Sequence, residues 1–246
     1  QPGHNGYHSR SGVNLKIGGE SDFPVLNPKF ALDIQFFDKD GNFDIVKNYY
    51  NSNNTAEILK RAQACDCDIL GLRFNLKEIG EIQSAVKKLK DNLSLIKKPL
   101  MISGSGKDDI DVILIPELIK CLDRQVIVNG VNENTYKSIV PSVVKGGHIL
   151  ILKSPIDINL AKELNILSSD MGLSLDRMIT DTDIGGLGYG LEYGYSIMEK
   201  IKLEGLKGDS YLNMPIISFA CYESLKTKEA KTELNDKSWG NFNERT

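Results

Sequence analysis

Along this chain, short and nearly continuous apolar runs alternate with longer stretches in which apolar residues recur every three and four positions. The runs are FALDIQFF (30–37), DILGLRF (68–74), PLMISG (99–104), QVIVNG (125–130), HILILKS (148–154), RMITD (177–181) and MPIISFA (214–220). They are rich in β-branched residues and lack the in-out alternation of a half-exposed strand. They therefore predict strands buried on both faces of a parallel sheet. The stretches between them predict amphipathic helices, with Lys and Glu opposite the apolar stripe: TAEILKRAQA, KEIGEIQSAVKKLKDNLSLI, DVILIPELIKCL, ENTYKSIVPSVVKG, DINLAKELNILSSDMG, the segment after Gly190, and YESLKTKEAKTEL. Strict alternation of this kind predicts right-handed βα units.

Seven such units are legible, and a closed (β/α)8 barrel needs eight. The expectation is an α/β fold of the TIM-barrel type that lacks a clear eighth βα unit at its C-terminal end. Residues 1–13 are expected to form a flexible, turn-rich lead-in and residues 14–246 the barrel-like domain. The competing architecture is an open, doubly wound sheet. Its usual signature, G-x-G-x-x-G after the first strand with an acidic residue about twenty positions on, is missing from the sequence.

Composition narrows the function classes. The chain has 246 residues, about the length of one TIM barrel. Its formal net charge of −3 gives no global basic field, so nucleic acid and anionic lipid are not expected partners. No apolar run approaches the roughly 18 residues of a membrane span, and a cytoplasmic protein is expected. Cys65, Cys67, Cys121 and Cys221 are too scattered for a disulfide framework or a cluster-binding set. Cys65 and Cys67 form a C-x-C without a second pair, and Cys67 leads into an apolar run, where a small core residue is expected. His4, His8 and His148 have no helical metal-ligand spacing.

Candidate chemistry gathers where strands end, because parallel α/β folds place function on the loops after the strand C-termini. Phe74-Asn75, Ser103-Gly104-Ser105-Gly106, Asn129-Gly130, Lys153-Ser154 and Asp181-Thr182 start these loops and would converge on one mouth. The S-G-S-G run has the form of a backbone nest for phosphate. Asp33 and Asp181 are possible hydrogen-bond partners for a heterocycle or, equally, helix caps and turn residues. The set has no nucleophile–base pair and no evident carboxylate dyad. The sixth loop, DTDIGGLGYG, carries Gly185, Gly186, Gly188 and Gly190. Such bare backbone either admits a broad ligand or partner surface or packs helix on strand.

Residues 157–219, and above all GLGYGLEY (186–193), LKGD (206–209) and NMPII (213–217), closely resemble the delta, or small, subunit of the corrinoid iron–sulfur protein of the acetyl-CoA synthase/carbon monoxide dehydrogenase system. LKIGGESDFPVLNPKFALDI (15–34) and DILGLRF carry weaker agreement. Thr182, Asp183 and Ile184 stand where the family has Pro-Thr-Thr, and Gly186 replaces a small Ala. SWGNFNERT looks like the start of a W-G-D-x-x-x-R-G element that leads toward an eighth strand.

The resemblance implies a subunit without active-site chemistry of its own. It would pair with a large (gamma) subunit that carries the iron–sulfur cluster, and would share that subunit's corrinoid (cobamide) while holding no cluster itself. Cobalt then carries a methyl group from a methyltetrahydropterin, by way of its methyltransferase, to acetyl-CoA synthase in the reductive acetyl-CoA (Wood–Ljungdahl) pathway. The alternative is a pterin-dependent methyltransferase acting on a corrinoid protein, with Asp181 and Asn129 on the pterin ring and Asn75 assisting. A third reading is an assembly scaffold that binds no corrinoid. The residues expected at the cofactor are Asn75, Ser103, Asn129, Asp181, Thr182, Gly185, Gly186, Gly188, Tyr189 and Gly190.

Overall fold

The structure is a computed structural model that describes residues 28–38, 43–183 and 191–219, with the backbone of two short strands before them. Those strands, β1 (Asn5–His8) and β2 (Asn14–Ile17), pair antiparallel. The main sheet contains β3 (Ala31–Asp38), β4 (Ile69–Asn75), β5 (Leu100–Ser103), β6 (Ile127–Val131), β7 (Ile149–Lys153), β8 (Met178–Asp181) and β9 (Ile216–Ile217). Each of the seven predicted strands is present. Every neighbouring pair is parallel, and the spatial order equals the chain order.

That order decides the architecture. A doubly wound sheet reverses direction at a switch point, whereas a sheet that only ever adds the next strand on the same side winds into a barrel. Among the described residues no eighth strand lies between β9 and β3, and the sheet they form is open there.

Helices α1 (Phe43–Tyr50), α2 (Thr55–Ala64), α3 (Ile82–Asn92), α4 (Asp108–Ile119), α5 (Tyr136–Gly146), α6 (Ile158–Asp170) and α7 (Leu191–Leu206) cover the outside. Local chemistry fixes several ends. Asn54 caps α2 by accepting from the Ala56 and Glu57 amides, and Asp157 caps α6 by accepting from Asn159 and Leu160. Gly147 ends α5 at φ +69°, a conformation favourable to glycine. The sequence pattern did not mark α1, and the predicted helix YESLKTKEAKTEL lies outside the described residues.

Two apolar layers explain why the runs are continuous. Leu70, Leu72, Phe74, Ile102, Val128, Leu150 and Leu152 face the helices and pack with residues such as Leu89, Leu114 and Ile139. Ile69, Met101, Ile127, Ile149, Ile151 and Ile179 form a separate cluster on the other face, joined by Ile217 and Phe219. Alternate residues of the same strands thus enter different cores, and the second core fills the barrel interior. Each fully buried Leu or Ile contributes about 1.5–3 kcal/mol.

Candidate functional site

The strand period of two places a polar layer above the inner apolar one. Ser103 lies two residues beyond Met101, Asn129 beyond Ile127, Lys153 beyond Ile151 and Asp181 beyond Ile179, so all four point inward near the strand C-termini. Arg73 takes the equivalent place on β4. The register sets two levels: Gln35, Arg73, Ser103 and Asn129 pair in line, whereas the β6–β7 register shifts after Val128 so that Val131 pairs with Leu152, and the Lys153–Asp181 pair stands above Asn129.

These groups are tied to one another. The Arg73 guanidinium donates to Asp33 Oδ2 through Nε, at 2.9 Å, and through Nη2. Asp33 Oδ1 is buried and accepts no hydrogen bond. Burial pushes the Asp33 carboxyl above its ordinary range, and the Arg73 charge and hydrogen bond oppose that shift. Gly71 makes the pair possible, since a Cβ there would stand 2.8 Å from Asp33 Oδ1. Asn129 donates its amide to Ser103 Oγ at 3.1 Å. Asp181 Oδ1 accepts from the Asp183 amide at 2.9 Å, and Asp183 pairs with Lys153 at 3.0 Å. Asp183 sits at φ +50°, so this corner holds a backbone conformation rare for a side-chain-bearing residue.

The expected site residues separate into three groups. Ser103 and Asn129 come together on one inward level and Asp181 stands beyond them, each less than a tenth exposed, and Asn75 ends β4 in a half-buried position. Thr182 is fully buried in the strand-to-loop corner, where its carbonyl accepts from the Ile156 amide and its hydroxyl has no partner. Gly185, Gly186, Gly188, Tyr189 and Gly190 lie outside the described residues. Lys153, expected at the mouth as a loop start but not at the cofactor, belongs to the layer, as does Arg73, which was not among the expected residues. The one signal of Arg73 in the sequence is a single cation within an otherwise apolar run.

The S-G-S-G loop is not an open phosphate nest. Asp111, 2% exposed, accepts from the Ser105 amide at 2.7 Å, the Ser105 hydroxyl at 2.8 Å and the Gly106 amide at 2.9 Å. The chain's own carboxylate therefore takes the N–H groups that an anion would have used. Gly104 is required there because a Cβ would meet the Asp111 carboxyl at 2.6 Å. Bare backbone still borders the mouth at Gly106, φ +80°, and at Gly130, φ +100°. A second departure concerns Cys67, which is half-buried in the connection to β4 rather than part of the core.

Comparison with known proteins settles the lineage. The family described as CO dehydrogenase/acetyl-CoA synthase delta subunit matches residues 15–237. This chain belongs to that family. Proteins named acetyl-CoA decarbonylase/synthase complex subunit delta are 34% identical over 139 residues in Methanopyrus kandleri and 31% identical over 160 residues in Methanocaldococcus jannaschii. The counterpart from Archaeoglobus fulgidus is 33% identical over 137 residues. These alignments cover 56%, 64% and 54% of this chain but 35%, 39% and 30% of those proteins, so the delta-family chain spans only about a third of the length of its curated relatives. Among solved structures, dihydropteroate synthase from Xanthomonas albilineans, in complex with indole-2-carboxylic acid and 6-chloroguanine, superposes with a TM-score of 0.57 at 10% identity. It covers 85% of this chain and 74% of that one. A second structure of that enzyme, with 4-aminobenzoic acid, gives 0.53 at 11% identity over 78% and 71% of the two chains. At such identities the likeness establishes the TIM-type fold of the delta-family chain and nothing finer.

Among the described residues no helix is long and apolar enough to cross a membrane. In the same residues no group of three or more His, Cys, Asp or Glu side chains is placed to hold a metal ion.

Proposed function

We propose that this chain works in the cytoplasm as the delta subunit of a corrinoid iron–sulfur protein. It would pair with the large subunit and help hold the corrinoid that carries a methyl group from methyltetrahydropterin to acetyl-CoA synthase. The match of residues 15–237 to the delta-subunit family is the observation that carries this reading. The mouth supports it in two ways. The loops after β5 and β6 present glycine backbone at Gly106 and Gly130, which a broad, flat macrocycle can approach closely. A corrin bears peripheral amides, and Asn129, whose amide N–H is given to Ser103, retains a carbonyl oxygen as acceptor, while Asn75 ends β4, on the far side of β5. When bound, the corrinoid cobalt supplies the chemistry of methyl carriage. The chain's own residues would orient the ring and exclude water from one face.

The test is anaerobic assembly with the large subunit, followed by visible spectroscopy of the purified pair. The reading expects a cobamide spectrum in the pair and a loss of corrinoid retention in Asn129→Ala. A pair that forms but retains the same corrinoid in the variant would overturn the placement at this mouth. Failure to pair would overturn the subunit role.

A second reading rests on a specific placement. Asn129 and Asp181 both point inward near the strand C-termini, as a pterin-dependent methyltransferase would require. Titration of the isolated chain with methyltetrahydrofolate separates the two: micromolar binding favours the methyltransferase, and no binding favours the carrier subunit.

A further inference from the structure

The C-x-C at Cys65 and Cys67 has no part in the mouth. It lies between α2 and β4, and so at the end of the barrel opposite the strand C-termini. Both thiols are free and partly exposed. An extended three-residue segment separates its end Cα atoms by about 6.8 Å, at the limit of what a disulfide spans. Here the Cys67 amide donates to the Cys65 carbonyl at 2.9 Å, closing a tight turn that shortens this separation. Lys98 organises the turn: its ammonium donates to the carbonyls of Cys65, at 2.8 Å, and Cys67, and stands 3.3 Å from Cys67 Sγ. A fixed cation beside the sulfur draws an anionic disulfide toward it, and a thiolate is the nucleophile in disulfide exchange. Lys98 also borders an open groove of about 720 Å³ whose wall holds Lys60 and Lys97 with Glu57 as its one carboxylate. Three lysines against one carboxylate leave the groove net positive, and Lys98 links it to the Cys67 sulfur.

We propose that Cys67 and Cys65 form a redox-active dithiol that exchanges with low-molecular-weight anionic disulfides, a property independent of the corrinoid role. Cys67 thiolate attacks one sulfur of the reagent R–S–S–R, giving a Cys67–S–S–R mixed disulfide and releasing RS⁻. Cys65 thiolate then attacks Cys67 Sγ, closing Cys65–S–S–Cys67 and releasing a second RS⁻. The two protein thiols lose two protons and two electrons, and the reagent disulfide is reduced to two thiols. Cys65 is thus the resolving partner, two residues away.

The experiment treats the reduced 246-residue chain with one equivalent of the dianionic disulfide dithiobis(nitrobenzoate) under anaerobic conditions. The expected result is release of both aryl thiolates with no adduct retained, and a tryptic peptide Ala62–Arg73 lighter by two hydrogens. Cys65→Ser is expected to release one thiolate and keep the other on Cys67. Lys98→Met is expected to slow the first release about ten-fold, with Lys98→Arg close to the parent, and the dicationic reagent cystamine should show a smaller difference. Three results would overturn the proposal: a stable adduct on Cys67 in the unaltered chain, first reaction at Cys121 or Cys221, or a Lys98→Met rate equal to that of the parent.

Discussion

His148 is expected to make this barrel acid-sensitive, and the structure sets the size of the effect. The imidazole is 2% exposed at the start of β7, where Nδ1 accepts from the Val126 amide at 3.3 Å. Gly146 packs against the ring so closely that a Cβ there would overlap it. Burial, assisted by the nearby Arg177 charge, lowers the His148 pKa from 6.5 to about 4. A depressed folded pKa means that the native state binds fewer protons than the unfolded chain between those values. The contribution is therefore fully present above pH 6.5 and is lost as pH falls toward 4. A shift of that size corresponds to about 3 kcal/mol in all, of which about 2 kcal/mol is gone by pH 5. For a chain of this length that loss lowers Tm by roughly 4–8 °C. Burial raises the Asp33 and Asp111 carboxyls, so their contributions have the opposite sign, present at low pH and lost as pH rises. The informative quantity is therefore the difference between the parent and His148→Phe, followed by urea unfolding from pH 7.5 to 5. The variant should start less stable by about 1–3 kcal/mol, because it orphans the Val126 amide, and should lose less as the pH falls. Two curves that stay parallel across that range would refute the buried-neutral assignment.

Other outcomes follow from the polar layer. Asp111→Asn turns one acceptor oxygen into a donor facing the S-G-S-G loop amides and should cost about 2 kcal/mol in urea unfolding. Arg73→Met strands the Asp33 carboxylate inside the barrel and should cost about 3 kcal/mol at pH 7. Adding Asp33→Asn should recover much of that loss, and strict additivity in the double variant would argue against the pair. Gly188→Val should leave the circular dichroism spectrum unchanged and weaken corrinoid retention in the assembled pair. Unfolding instead would assign the sixth-loop glycines to helix–strand packing.

What was legible in the sequence follows from how each signal is encoded. Burial on both faces writes a strand as one apolar run, so all seven strands could be found from the apolar pattern alone. The same continuity hides which residues share a face. Arg73 and Lys153 look like single interruptions of DILGLRF and HILILKS, and only the strand register sets Arg73 level with Ser103 and Asn129. Asn75, Ser103, Asn129 and Asp181 were accessible because loop starts after parallel strands are places of known meaning. Helix α1 was missed because FDIVKNYY is bracketed by KDGN and NSNN, whose turn-forming residues mask two short helical turns.

The S-G-S-G loop shows a different limit. Its local sequence is that of an anion nest, and the anion is already supplied by Asp111, read from the sequence only as the first residue of an amphipathic helix. One turn into α4, the carboxylate reaches back to the loop that precedes its own helix, and Gly104 leaves the space for it. Motif and occupant are thus six residues apart and belong to elements that a periodicity argument treats separately. A glycine-rich loop after a barrel strand therefore identifies backbone donors without identifying their acceptor. At this mouth, ligand contacts must come from the groups the protein leaves unspent, of which the Asn129 carbonyl is the clearest, beside the bare backbone at Gly130.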